Sequence, residues 1–354
     1  MKYDATHVSE AEEFPVTMTL ELSEKCNLRC PFCHLSVFEP EKPNQISLEQ
    51  FEEHFAPAMA RIKSLTLHYK FEPLTCRDFV PIFRRISEFD IETYFSTNGI
   101  LLTEKARDVI VGNLTYLTVS VTGFTPESYK KQMGYDGLEK VRKNLRALNA
   151  LKKERGTRYP ILRISTVGKL DALDELKSAV DFADEFDAEE GVQLTFFRAM
   201  DESMESERPV HDPEFFTATT NEALAYAESR KVKLFLQSGD LEANRKETEE
   251  LGHKYCRIPW NGMTIQPDGD VFPCPVAHTS VGNAYEQPIE EIWSGERLAH
   301  FRDRVNNPDD MNEECRTCHH CRVGSVVRTE TTDLSYKDSF LRLKRKDENV
   351  RRAG

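Results

Sequence analysis

Between residues 16 and 197, six short runs of strand character alternate with segments of helical character, and this rhythm restricts the chain to few folds. Val16, Met18, Leu20 and Leu22 alternate with polar neighbours, the period of a half-buried strand. Further strands are expected at Ser64–Tyr69, Glu92–Ser96, Tyr116–Val121, Ile161–Val167 and Val192–Phe197. Ser47 and Gln50 form a capping box for a helix reaching about Lys63, kinked at Pro57. Other helices are expected at Asp78–Phe89, from Thr103, between Thr125 and Arg155, and at Asp171–Phe186. Such alternation implies βα units, a mostly parallel sheet and right-handed crossovers. Short apolar strands suit a barrel or open barrel covered on both faces, with its active site at the C-terminal strand ends.

Beyond this core, residues 198–212 read as a polar connector, followed by a helix at Pro213–Arg230 and a strand at Val232–Leu236. From Cys256 the texture changes to hairpin turns, a helix at Ile289–Val305 and clustered cysteines. The tail beyond Arg328 is rich in Lys and Arg and reads as a solvated helix. The expected organisation is a lead-in at 1–15, a core at 16–238, a cysteine-rich domain at 239–328 and a charged tail at 329–354.

Charge and cysteine usage narrow the setting. A net charge of −13 argues against a nucleic-acid partner, which needs surplus basic side chains. No apolar run is long enough to span a membrane, and the acidic N-terminus lacks a signal-peptide core. Nine cysteines without an export signal point to a reducing, cytoplasmic setting, where clustered thiols bind metal.

Cys26, Cys30 and Cys33 stand in C-x3-C-x2-C spacing directly after the first strand. Three thiolates on one short loop hold three irons of a cubane and leave the fourth open to chelate a small molecule. The alternative is zinc with His34 as fourth ligand, although structural zinc is usually built from paired C-x2-C units.

With these residues the chain resembles the radical S-adenosylmethionine (SAM) superfamily. The resemblance implies an α/β partial (β/α)6 TIM-like barrel, a SAM-binding [4Fe–4S] cluster, and reductive cleavage of SAM to a hydrogen-abstracting 5′-deoxyadenosyl radical. It implies an adenine contact for Phe32 and a methionine-end contact for Glu72 and Lys70, where Lys70-Phe71-Glu72-Pro73 replaces the usual Gly-Gly-Glu-Pro. Ser96 and Asn98 match the end of the third strand, and Ser120 matches the ribose-contacting end of the fourth, with Thr122 where an acid is common. Met133 occupies the usual place of the arginine for the SAM carboxylate, so Lys131 or Arg163 is the expected substitute. A flavodoxin- or ferredoxin-type protein is the implied electron donor.

The second cysteine group is Cys256, Cys274, Cys315, Cys318 and Cys321, with Pro267-Asp268-Gly269-Asp270 signalling a hairpin between the first two. Gly269 and Cys274 make a Gly-x4-Cys signature resembling the C-terminal SPASM/twitch extension of radical SAM enzymes. That resemblance implies one auxiliary [4Fe–4S] cluster on Cys256, Cys274, Cys315 and Cys318, with Cys321 an alternative ligand or spare thiol. A zinc site on Cys315, Cys318, Cys321 and His319 or His320 is the alternative, and leaves Cys256 and Cys274 unexplained. Cys76 stands alone and His68 reads as structural.

A radical generated near a second redox centre is expected to oxidise or epimerise its substrate, the chain resembling the twitch-bearing deoxy-scyllo-inosamine dehydrogenase. Cys76 or Cys321 is the candidate hydrogen donor for epimerisation. About fifteen residues precede the first strand, fewer than a leader-binding domain needs, which favours a sugar or aminocyclitol over a peptide. Peptide crosslinking through thioether or carbon–carbon bonds is the enzymatic alternative. An iron–sulfur electron carrier or zinc scaffold is the non-enzymatic one, and would release no 5′-deoxyadenosine.

Overall fold

The structure, a computed structural model, describes residues 13–236, 256–307, 309–316 and 318, and the backbone of 344–345. Its centre is one ten-stranded sheet. In chain order the strands are β1 (Thr17–Leu20), β2 (Ser64–Thr66), β3 (Glu92–Thr97), β4 (Tyr116–Ser120), β5 (Ile161–Gly168), β6 (Val192–Phe196) and β7 (Leu234–Leu236), then β8 (Gly262–Ile265), β9 (Asp270–Phe272) and β10 (Gly282–Asn283). Their spatial order is β10-β9-β8-β1-β2-β3-β4-β5-β6-β7, open at both edges. All strands from β8 across to β7 are parallel, and β9 alone is reversed, pairing antiparallel with both β8 and β10. The six expected strands are present, and the strand at 232–236 adds a parallel edge at β7.

Helices cross between successive strands as βα logic requires. The labelled ones are α1 (His34–Val37), α2 (Phe79–Ile86), α3 (Glu104–Ile110), α4 (Pro126–Met133), α5 (Leu138–Glu154), α6 (Leu176–Glu185) and α7 (Pro213–Arg230), then α8 (Ile289–Trp293) and α9 (Glu296–Val305). In α5 Leu138, Val141, Leu145 and Leu148 form one buried stripe, each contributing roughly 1.5–3 kcal/mol of apolar burial. The Ser47–Gln50 capping box is formed at both hydrogen bonds. Its helix ends earlier than expected, at Met59, and widens into a π turn over Phe51–Phe55. Pro57 has no N–H and its ring would clash with a carbonyl one turn back, so the widened turn accommodates it. The expected helix at 289–305 is broken between α8 and α9 at Ser294-Gly295.

The strands are less apolar than expected, because the sheet is buried by helices on one face only. Met18, Leu20, Leu65, Phe95, Leu117, Val119, Leu162 and Ile164 form the helix-facing core. On the opposite face the register aligns Thr264, Thr19, Thr66 and Tyr94 across β8 to β3, and Ser120, Ser165 and Gln193 across β4 to β6. This interior face of the partial barrel is polar.

Among the described residues, the cysteine-rich segment does not form a separate sheet. β8 pairs with β1 over Thr17↔Gly262 to Leu20↔Ile265, extending the core sheet through the strand that leads into Cys26. Gly262 suits this contact, since a Cβ there would lie 2.2 Å from Thr17 Oγ1. The hairpin turn closes with Gly269 at φ +87°, a conformation that favours glycine.

Candidate active site

β1 ends at Leu20, and the loop beyond it carries Cys26, Cys30 and Cys33, all half-buried, before Cys33 caps α1. Cys33 N–H donates to Cys30 C=O at 3.0 Å and Ser36 N–H to Cys33 C=O at 2.9 Å, winding the loop tightly. Burial pushes the Cys26 thiol up to about 11 and the Cys30 thiol further, with the negative charges of the other two cysteines adding to Cys30. At Cys26 and Cys30 desolvation outweighs the nearby Arg29 charge, and iron ligation would replace their protons. Among the described residues, no three or more His, Cys, Asp or Glu side chains are arranged to hold a single metal ion. A cubane takes one thiolate per iron, which the C-x3-C-x2-C loop can supply from Cys26, Cys30 and Cys33.

The neighbouring strand ends brace this loop. Asn98, just past β3, donates from Nδ2 to Asn27 Oδ1 at 2.9 Å and lies 4.0 Å from Cys26 Sγ. Leu28 N–H approaches the same sulfur at 3.4 Å. Glu72 accepts from Thr97 Oγ1 at 2.7 Å, Leu74 N–H at 3.3 Å and Asn98 N–H at 2.8 Å, so both its oxygens bind the protein itself. Burial raises Glu72 to about 7. Ser96 and Ser120 meet at 3.1 Å on the interior face, where Ser96 N–H also donates to His68 Nδ1. His68 is held neutral, its pKa lowered to about 4 by burial.

Other expected residues are placed differently. Lys70 leans over the Tyr69 ring at 5.0 Å, and its charge, after burial, holds His34 down at about 3. Its N–H and that of Phe71 both donate to Glu21 Oε1. Lys131 is largely exposed and pairs with Asp171 at 2.9 Å. Arg163 sits near the beginning of β5, level with Thr118, and faces Glu190 at 3.7 Å and Phe235. The cysteine loop lies at the other end of the strands, so Arg163 does not stand at the expected carboxylate position. Cys76 is buried on the helix-facing side, its thiol donating to Ile46 C=O at 3.4 Å. It behaves as a small core hydrophobe, and the interior face where a hydrogen donor would act lies on the other side of the sheet. Cys321, His319 and His320 lie outside the described residues.

Three features were not anticipated. Glu21, almost fully buried, has one oxygen, Oε2, without a hydrogen-bond partner among the described residues, and burial raises it to about 7. Lys169, just past β5, is buried between Asp171 at 3.0 Å, Gln132 Oε1 at 2.9 Å and Glu207, with Phe32 5.6 Å from its ammonium. Residues 198–212 are also more than a connector. Ala199, Met200 and Met204 pack with Phe197 against Phe38, Val37 and Phe32, covering the cysteine loop, and Glu207 pins them to Lys169. The sequence signal was the apolar Ala199, Met200 and Met204 inside an otherwise acidic stretch.

The second group is assembled around one small cavity of about 20 Å³, lined by Cys256, Cys274, Cys315 and Cys318 among Pro259, Ala277, Phe301 and Val305. Asn306 clamps Cys256, accepting its N–H and donating to its C=O, each at 2.9 Å. Asn312 holds Phe301 C=O at 3.0 Å and approaches Cys315 Sγ at 4.0 Å. Burial pushes Cys315 up to about 12 and Cys274 well above the usual thiol range, the other three thiols reinforcing Cys274. Four thiols in one apolar cavity fit a cluster, for which mutual repulsion would vanish on ligation. β9 runs back along β8, so Cys274 leaves the hairpin at the end of the sheet where β1 begins, whereas Cys26 follows the end where β1 finishes. The length of β1 alone, about 10 Å, therefore separates the two sites along the sheet.

A partial α/β barrel with an open three-cysteine loop at its C-terminal strand ends defines a radical SAM protein. Residues 20–183 match the Radical SAM superfamily model, and residues 256–322 match SPASM, an iron–sulfur cluster-binding domain. The chain thus belongs to the radical SAM enzymes that carry a C-terminal SPASM domain, and SAM and [4Fe–4S] clusters are its cofactors. Similar curated proteins include a PqqA peptide cyclase of Rhizobium meliloti, 25% identical over 318 residues, spanning 87% of this chain and 80% of the relative. An AdoMet-dependent heme synthase of Methanosarcina barkeri is 24% identical over 342 residues, covering 89% and 91%. Among solved structures, Streptococcus suis SuiB bound to S-adenosylmethionine aligns with TM-score 0.63 at 18% identity, over 84% of this chain and 70% of SuiB. Native anSMEcpe with bound AdoMet aligns with TM-score 0.64 at 17% identity, over 93% and 97%. No helix of the described residues is long and apolar enough to cross a membrane.

Proposed function

We propose that this radical SAM enzyme modifies a peptide, abstracting hydrogen from a peptide carbon and forming a new intramolecular bond. The observation that carries this reading is the likeness to PqqA peptide cyclases over most of both chains, repeated at 26% identity in Ruegeria pomeroyi. It favours a peptide over the sugar or aminocyclitol substrate expected from the sequence, and bond formation over the dehydrogenase or epimerase activity expected with it. When bound, SAM and its cluster supply the hydrogen-abstracting radical. The residues present supply the setting: Cys26, Cys30 and Cys33 as ligands, Asn98 and Glu72 as braces, and the 198–212 segment as the cover that keeps water from the reacting centre.

The polar interior face supports a substrate rich in hydrogen-bonding groups. Glu21 Oε2, Thr118 Oγ1 and Thr264 Oγ1 are buried there without partners among the described residues, and buried polar atoms call for partners. Peptide N–H and C=O groups offer both kinds. The auxiliary site, displaced along β1, suits electron transfer better than direct substrate ligation.

The test is incubation of reconstituted, reduced protein and SAM with peptide libraries, and in parallel with aminocyclitols and sugars. Loss of two hydrogens from a peptide, matched to 5′-deoxyadenosine release, supports the reading. Turnover of the polyols alone would overturn it.

A further inference from the structure

His34 follows Cys33 directly and opens α1. Ser36 locks the turn between them: its N–H donates to Cys33 C=O at 2.9 Å, and its hydroxyl lies 2.7 Å from the same oxygen. On this fixed backbone the imidazole turns back on its neighbour, with Nδ1 3.5 Å from Cys33 Sγ, within hydrogen-bond reach of a sulfur atom. The His34 residue is buried, and Phe71 meets its ring edge to face, centroids 5.7 Å apart and planes at 80°. Phe71 is anchored in turn. Its N–H donates to Glu21 Oε1 at 2.9 Å, and the next residue, Glu72, donates its N–H to Lys25 C=O at 3.0 Å. The loops after β1 and β2 together therefore set the imidazole against Cys33.

A free thiol and a ligating thiolate use this contact in opposite senses. Cys33 S–H can donate to an unprotonated Nδ1, whereas an iron-bound thiolate only accepts, so Nδ1 must then carry the proton. A neutral imidazole can place its single N–H on either nitrogen, so the contact survives ligation with its direction reversed.

We propose that His34 is a positioning residue of the radical-generating site: its Nδ1–H donates to Cys33 Sγ once that thiolate ligates the cluster, orienting the ligand and raising the cluster's reduction potential. A reduced cluster carries one more negative charge than the oxidised one, so a donor to its sulfur stabilises the reduced form selectively. One electron enters the cluster and no proton leaves His34. The inference concerns the cluster before substrate binds and is independent of the peptide reading.

The test is an EPR-monitored redox titration of the reconstituted full chain without SAM, following the signal that changes when SAM is later added. His34→Phe keeps a ring against Phe71 and removes the N–H, whereas His34→Asn carries an amide N–H close to the Nδ1 position. His34→Phe should keep its iron, and its reduced-to-oxidised ratio at fixed potential should fall roughly threefold to tenfold, tenfold being about 59 mV for one electron. His34→Asn should recover most of that loss. An unchanged potential in His34→Phe with full iron, or no recovery in His34→Asn with full iron, overturns the proposal. If His34→Phe fails to retain iron, wild-type protein carrying isotopically labelled histidine nitrogen decides by electron–nuclear double resonance. A weak nitrogen coupling to the reduced SAM-responsive cluster, retained in His68→Gln, supports the contact. Its absence, its loss in His68→Gln, or a coupling as large as that of an iron-bound imidazole overturns it.

Discussion

Glu72 accepts the backbone N–H of Asn98 at 2.8 Å, and Asn98 passes that restraint to Asn27, adjacent to Cys26. A carboxylate on the loop after β2 thus fixes an amide after β3, which fixes the loop after β1. All three lie at the same end of a parallel sheet, where the chemistry of such folds collects.

Glu72→Gln should show how firmly this brace is held. A glutamine keeps one acceptor oxygen and turns an NH2 toward either Asn98 N–H or the Thr97 hydroxyl. A buried donor then loses its partner, at about 1–3 kcal/mol. The expected result is that loss in denaturant unfolding of the apoprotein, with lower iron loading at the cysteine loop. Wild-type stability and loading would remove Glu72 from the brace.

Glu21 makes a different prediction, with a sign that follows from burial. Its pKa is raised to about 7 from an ordinary 4.5, chiefly by desolvation. Glu72 is raised likewise. Between those values the folded apoprotein binds protons that the unfolded chain has released, so stability falls as pH rises through the window. Glu21→Gln retains the Oε1 acceptor for Lys70 and Phe71, places its amide where Oε2 has no partner, and cannot ionise. The variant should lose less stability between about pH 5 and pH 8 than wild type does. An identical pH profile would show that the Glu21 carboxyl is not its source.

Gly134→Ala tests the seat of α4 on the cysteine loop. The substitution forces an alanine into the left-handed region and a methyl group 2.6 Å from a backbone oxygen of Arg29, which has no flexible end to move. A cost of at least about 1–3 kcal/mol is expected from conformation alone, with iron loading falling further than stability. Gly156→Ala is the control: it shares a positive φ of 63° but has nothing within 4 Å of the added carbon. It should lose stability without losing iron.

The sequence made the βα order and both cysteine groups legible because each rests on short-range signals: period two, capping residues and fixed spacings. Ser47 and Gln50 announce their box within four residues, and Cys26 to Cys33 within eight. What it could not show depends on pairing at long range. Nothing near Gly262 says that β8 will lie beside β1, some 240 residues away, and so place the second site at the other end of that strand. Arg163 and Cys76 were credible until the direction of each strand and the face of each side chain were known. Lys169 was passed over because its partners, Gln132, Asp171 and Glu207, come from separate segments.

Iron counting and SAM cleavage together should separate the two cysteine sites. Fully reconstituted protein should hold about eight irons if each site carries one cubane. Cys26→Ala should lose about four and all 5′-deoxyadenosine release, because no other described thiol reaches that loop. Cys315→Ala should also lose about four, but β1 separates its cavity from the SAM site, so cleavage of SAM should persist while peptide product is lost. Cys76→Ala should lose no iron and no turnover, since its thiol donates only to Ile46 C=O in the core. Its cost should be a modest loss of stability from one small cavity, about 1 kcal/mol. Loss of SAM cleavage in Cys315→Ala with its remaining iron intact would instead mean that the two sites are coupled through the shared sheet.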